Sequence, residues 1–214
     1  MKGLLMKDLY LVSNFKKQYG LLLLFIGGWS IFTQSFSFLA MYTILLGGMM
    51  TFSIMSMDEA VHFNRYALTM PVSVRTLVKE KYALTCLCIA GGSLLALVIE
   101  MIAMLTPWNE GAMEWIMLAV LSTFFLTAYT VSLPVVLKYG VEKARYIYMG
   151  VMLAMGAAVF GVAYLAKNTP VMMLEGTPSV ATIMIIFGIM LLIDVVMVGA
   201  SYRISLWVVR GKEW

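Results

Sequence analysis

Residues Gln18–Met57 read QYGLLLLFIGGWSIFTQSFSFLAMYTILLGGMMTFSIMSM, 40 residues without a formal charge. As helix they would rise ~60 Å, twice the ~30 Å of bilayer hydrocarbon. The stretch therefore predicts two membrane-crossing helices and a tight turn. The turn belongs at Thr33-Gln34-Ser35-Phe36-Ser37, the most polar point in the run. This places the first two spans at about 19–36 and 38–57. Four further apolar runs follow, at about 82–105, 113–137, 146–166 and 180–201. Composition agrees: 62% of the 214 residues are apolar, 12% are charged, and the mean hydropathy is +0.93. Soluble domains are nearer ~45–50% apolar and ~25% charged, and disordered chains are poorer still in apolar residues. The expectation is an all-α integral membrane protein of six transmembrane helices, a single domain over 1–214.

The basic residues predict the orientation. Lys2, Lys7, Lys16 and Lys17 precede the first span. Arg65, Arg75, Lys79 and Lys81 lie between the second and third, and Lys138, Lys143 and Arg145 between the fourth and fifth. Arg203, Arg210 and Lys212 end the chain, leaving only Lys167 for the other side. Such a bias marks the cytoplasmic side, so both termini are expected there. The net charge of +4 is thus a topology signal rather than a sign of nucleic-acid binding.

Two segments outside the spans have patterns of their own. In 1–17, Leu4, Leu5, Leu9, Leu11 and Phe15 alternate at helical spacing with Lys2, Lys7, Asp8, Lys16 and Lys17. This is the pattern of an amphipathic helix lying on the inner leaflet. Residues 58–81 form the longest cytoplasmic loop. Its first part, Asp58–Leu68, suits a short surface helix. Pro71 then breaks the chain, and Ser73 is placed to cap a helix that carries Arg75, Lys79 and Lys81 into the third span.

Glu100 and Asp194 fall inside predicted spans. A charge there costs a few kcal/mol, so both should face the bundle interior or water. Glu100 lies near the outer end of its span and could reach the interface; no basic residue lies within a span to pair with either. His62 is the single histidine and has no companions for a metal site. Cys86 and Cys88, two residues apart on a helix, point to different faces and cannot pair with each other. The 20 methionines scatter as packing residues. The pairs Gly27-Gly28, Gly47-Gly48 and Gly91-Gly92 permit close helix contacts. No phosphate-binding loop, His-Glu-x-x-His or Gly-x-Ser-x-Gly is present, so no catalytic residue and no cofactor are expected on this chain.

The opening Lys-Gly-Leu-Leu-Met-Lys-Asp-Leu-Tyr resembles the start of bacterial ABC-2-type transporter permeases. The loop resembles theirs too, from Asp58-Glu59 through Asn64-Arg65-Tyr66-Ala67-Leu68-Thr69-Met70-Pro71-Val72-Ser73 to Val78 and Lys81-Tyr82. The six expected spans fit the small Firmicutes-type members. The resemblance implies an exporter subunit in the bacterial cytoplasmic membrane, dimeric with itself or a paralogue, with ATP and Mg held by separate ABC ATPase subunits. It implies that 1–17 is a connecting helix and that 58–81 couples to the ATPase. Asp58, Glu59, Arg65, Tyr66 and Arg75 would be docking contacts, with Pro71 and Ser73 setting the turn. Glu142, Lys143 and Arg145 would make a second cytoplasmic contact. Spans 1, 2 and 5 would line a cavity for an amphipathic or hydrophobic cargo such as a peptide, bacteriocin, lipid or drug. The alternatives are an ATP-independent secondary transporter or channel using Asp194 as a proton site, a membrane-embedded enzyme, and a non-transporting immunity or sensor subunit.

Overall fold

The computed structural model describes residues 2–33, 35–69, 73–106, 112–167 and 180–210. Seven helices lie within these residues: α1 (Lys2–Thr33), α2 (Phe36–Ala60), α3 (Phe63–Thr69), α4 (Val74–Ala103), α5 (Ala112–Tyr139), α6 (Val141–Lys167) and α7 (Val180–Arg210). Four of them carry stretches long and apolar enough to cross a membrane, at Phe36–Ala60, Val74–Ala103, Met117–Tyr139 and Leu191–Val209. Leu24, Phe32, Leu105 and Leu192 stand exposed on the outside of the bundle. An apolar exterior of this kind suits contact with lipid. The chain is a multi-pass, all-helical membrane protein.

The local chemistry explains where the helices end. The α1–α2 turn falls where polarity predicts it: Ser30 Oγ donates to the Ser35 carbonyl at 2.7 Å, and the Ser35 N–H donates back to Ser30 O at 3.1 Å. His62, at φ +51, lets the chain leave α2 and enter α3 within two residues. Ser73 caps α4, its Oγ accepting from the Thr76 N–H at 3.3 Å. Gly140, at φ +89, separates α5 from α6. One sequence-based boundary differs. Residues 2–33 form a single helix instead of a surface helix followed by a separate span. Nothing between Lys16 and Tyr19 breaks a helix, so the amphipathic pattern runs straight into the apolar one.

α2 is the hub. It packs chiefly on α4 and also touches α1, α3, α5 and α6. Two glycines allow this closeness. A Cβ on Gly47 would lie 2.6 Å from the Cys88 carbonyl, and one on Gly92 would lie 2.7 Å from that of Thr43. Gly27, Gly28 and Gly91 face open space. On the opposite side of α2, Phe52 meets Tyr129 of α5 and Tyr148 of α6 at ring-centroid separations of 5.2 and 5.3 Å.

α5 contains Pro134, which has no N–H to offer the carbonyl of Thr130. Ser201 of α7 supplies the missing donor, at 2.6 Å. With its proton so used, Ser201 must accept from Tyr82 OH, 2.6 Å away, and Ser205 then donates to Tyr82 at 2.8 Å. One hydrogen-bond chain thus ties α4, α7 and α5 together.

Candidate functional site

The polar residues of α1, of the end of α2 and of the start of α4 converge at one end of the bundle. Lys81, in the second turn of α4, is only 2% exposed. Its Nζ lies 2.5 Å from Asp58 Oδ2, 3.2 Å from Asp8 Oδ2 and 3.3 Å from Glu80 Oε1. Lys7 closes the group from α1, at 2.7 Å from Asp58 Oδ1 and 2.9 Å from Asp8 Oδ1. It also stands 3.6 Å over the ring of Phe63, the first residue of α3. Asp8, Asp58 and Glu80 are buried. Three carboxyls and two ammoniums make the group electroneutral when one proton is held between Asp8 and Glu80. Burial pushes the Asp8 carboxyl up. The hydrogen bond from Glu80 and the charges of Lys81 and Lys7 outweigh burial, so Asp8 is held below the ordinary carboxylate range.

Such a cluster locks geometry more than it adds stability. Taking charges out of water costs several kcal/mol per ion, and mutual attraction repays this only when the contacts are close and complete. Here the contacts fix α1, α2, α3 and α4 to one another. A second tie runs sideways. Glu59 Oε2 accepts from the Val141 N–H at 2.7 Å, at the first residue of α6. A carboxylate is favoured there by the helix dipole. The end of α2 is thereby fastened to the α5–α6 turn, which brings together the two basic segments seen in the sequence at 58–81 and 138–145.

The residues singled out from the sequence fall into distinct places. Asp58 and Glu59 are engaged inside the chain, through Lys7, Lys81 and the α6 N-terminus. Tyr66 is 59% exposed on α3, and Arg75 is exposed in the first turn of α4. The Arg65 side chain and Pro71 lie outside what is described. Glu142, Lys143 and Arg145 are exposed along the first turns of α6. Glu100 is buried against the start of α2, beside Ser37, Ala40 and Ile44. α2 begins at Phe36 and extends far enough to cover it. Asp194 is 3% exposed, and its Oδ2 has no hydrogen-bond partner among the described residues. No group of side chains suited to a metal occurs among the described residues.

A family model described as ABC-2 family transporter protein matches residues 3–206. The chain belongs to the ABC-2 transporter family. No curated protein and no solved structure matches it. As an ABC-2 membrane protein it is a transport subunit, and the family implies an ABC ATPase partner. Local sequence in this permease does not mark Lys7, Asp8, Glu80 and Lys81 as a group. One signal was available: Asp8 is the only acidic residue before Asp58. A lone carboxylate in a basic amphipathic segment is a candidate for pairing rather than for solvation.

Proposed function

We propose that this chain is the membrane subunit of an ABC exporter, moving an amphipathic or hydrophobic cargo under the power of a separate ATPase. The observation that carries the proposal is the buried cluster joining α1, α2, α3 and α4. It gives α3 and the start of α4 a firm seat at one end of the bundle, as a force-receiving element needs. In this reading α1, α2, α4, α5, α6 and α7 make six crossings of the bacterial cytoplasmic membrane, with both termini inside. α1 and α6, of 32 and 27 residues, have the length for it. Tyr66 contacts the ATPase, with Arg65 as a further contact, while Asp58, Glu59 and Ser73 hold the docking element in place. Glu142, Lys143 and Arg145 offer the second contact, reached through the Glu59 tie. An apolar groove of about 410 Å³ between α1, α2 and α4, lined by Leu9, Leu23, Leu46, Met50 and Leu95, suits a greasy cargo. Its walls are spans 1, 2 and 3, where the family resemblance implied 1, 2 and 5. A second permease copy or a paralogue completes the pathway.

The test is co-purification with the cognate ABC ATPase in mild detergent. Tyr66→Ala combined with Arg65→Ala should weaken the association and leave the melting temperature unchanged. Asp58→Ala should lower both. No association under any nucleotide condition would sink the exporter reading. It would favour instead an ATP-independent transporter, in which the buried carboxyl of Asp194 carries a proton and Asp194→Asn abolishes transport.

A further inference from the structure

At the same end of the bundle, α4 and α7 border an open cavity of about 390 Å³ lined by Arg75, Tyr202, Arg203, Leu206 and Trp207. Both arginines are exposed, and neither has a hydrogen bond or ion pair to another described residue. The frame around them is firm. Tyr82 of α4 bonds to Ser201 and Ser205 of α7 on either side of Arg203 in sequence. The Tyr82 and Tyr202 rings also meet edge to face at 5.6 Å. Trp207 is 77% exposed beside the cavity, and Ile204 is also exposed.

Two exposed cations lining one open cavity raise the local positive potential and so favour an anion there. Guanidinium forks match phosphate oxygens in geometry as well as charge. Leu206 and the two aromatic rings provide an apolar wall beside the charges, which a free ion would not use. Trp and Tyr concentrate where headgroups meet hydrocarbon, and basic pockets between membrane helices on the cytoplasmic side recognise anionic headgroups. We infer that Arg75 and Arg203 hold the phosphate of an anionic phospholipid from the inner leaflet, its glycerol and first methylenes lying on Leu206 and Trp207. The inference rests on the reading above only in taking this end of the bundle as cytoplasmic. It assigns Arg75 to lipid rather than to the ATPase.

The purified full-length permease, without any ATPase, would be titrated with phosphatidylglycerol or phosphatidylcholine of the same chains and bound lipid counted by native mass spectrometry. Phosphatidylglycerol should bind more tightly than phosphatidylcholine. Arg75→Gln and Arg203→Gln should each weaken it about fivefold and together about 25-fold, with phosphatidylcholine unmoved. Arg75→Lys/Arg203→Lys should bind between wild type and the double glutamine variant, because the point charges remain and the two-pronged hydrogen bonding does not. A double glutamine variant that melts like wild type and keeps its phosphatidylglycerol overturns the inference. So does displacement of the lipid by excess inorganic phosphate, which would make this an ion site. Unchanged lipid binding with lost ATPase association also overturns it, in favour of a protein contact. Selective lipid binding in a permease that never captures an ATPase would uphold this site and count against the exporter reading alone.

Discussion

Lys81→Met removes the ammonium at the centre of the buried cluster and keeps most of the side-chain volume. Asp8, Asp58 and Glu80 then share one ammonium, that of Lys7, which sits on the outer side of the group and reaches only Asp8 and Asp58. Breaking a buried ion pair by deleting one partner costs about 3–5 kcal/mol, because the other charge stays buried without compensation. At ~2–4 °C per kcal/mol for a chain of this size, the melting temperature should fall by roughly 6–20 °C. Intrinsic fluorescence melting in fixed detergent and lipid reads this directly. Adding Asp58→Asn removes one of the three carboxylates and restores the charge balance that Lys81→Met upset. The double variant should therefore melt above Lys81→Met, with a coupling of at least about 1 kcal/mol. A fall of less than about 2 °C for Lys81→Met would refute the reasoning, as would strictly additive effects in the double variant. Either result would mean that water or rearrangement compensates the three carboxyls, and that the cluster does not hold α1 to α4.

Gly92→Leu, whose Cβ would meet the Thr43 carbonyl at 2.7 Å, should force α2 and α4 apart and cost about 1–3 kcal/mol, whereas Gly91→Leu on the open face should melt like wild type. Ser201→Ala should cost about 1–3 kcal/mol by leaving the Thr130 carbonyl without its donor; adding Pro134→Ala, which restores an N–H to that carbonyl, should recover part of the loss in the same melt. Glu59→Ala should cost about 1 kcal/mol by uncapping α6, and hydrogen exchange should rise first at the α6 N-terminus. The Asp8 carboxyl sits below its unfolded value, so its contribution to stability is complete above the ordinary carboxylate range and is lost as pH falls through the lowered value. Asp8→Asn should abolish that acid-side loss and leave the protein less stable near neutrality.

The helical membrane architecture and the turn at Thr33–Ser37 were legible because burial in lipid imposes long uncharged runs that local reading detects. The cap at Ser73 was legible for a similar reason, being set by neighbouring residues. The role of Asp58 was not. It is flanked by Met57 and Glu59, and its partners Lys7 and Lys81 lie 51 and 23 residues away. Local sequence showed a polar residue at the mouth of a loop, and a docking contact was the natural reading. The glycine pairs show the same limit. Gly47-Gly48 and Gly91-Gly92 look alike in sequence, yet Gly47, Gly48 and Gly92 meet neighbouring helices and Gly91 meets none. Which face of a helix is used depends on where its neighbours lie, and no spacing rule encodes that.

The distribution of polar contacts along the bundle bears on how force could pass through it. Close to the predicted cytoplasmic end, α1, α2, α3 and α4 are joined by ion pairs, and α2 to α6 by the Glu59 cap. Deeper in, α2 and α4 meet through glycines, while α2, α5 and α6 meet through the aromatic rings of Phe52, Tyr129 and Tyr148. Directional contacts resist sliding, because a shift of an ångström breaks them and leaves buried charge exposed to an apolar interior. Smooth glycine contacts and ring packing lose far less on a small rotation. A push on α3 would then move the ends of α1, α2 and α4 as one body, with the give arising deeper, along the α2–α4 seam and around Tyr129. The Lys81 cluster is thus better placed to transmit a movement than to switch one. On the proposed exporter reading, its weakening should uncouple ATP hydrolysis from transport before it abolishes either.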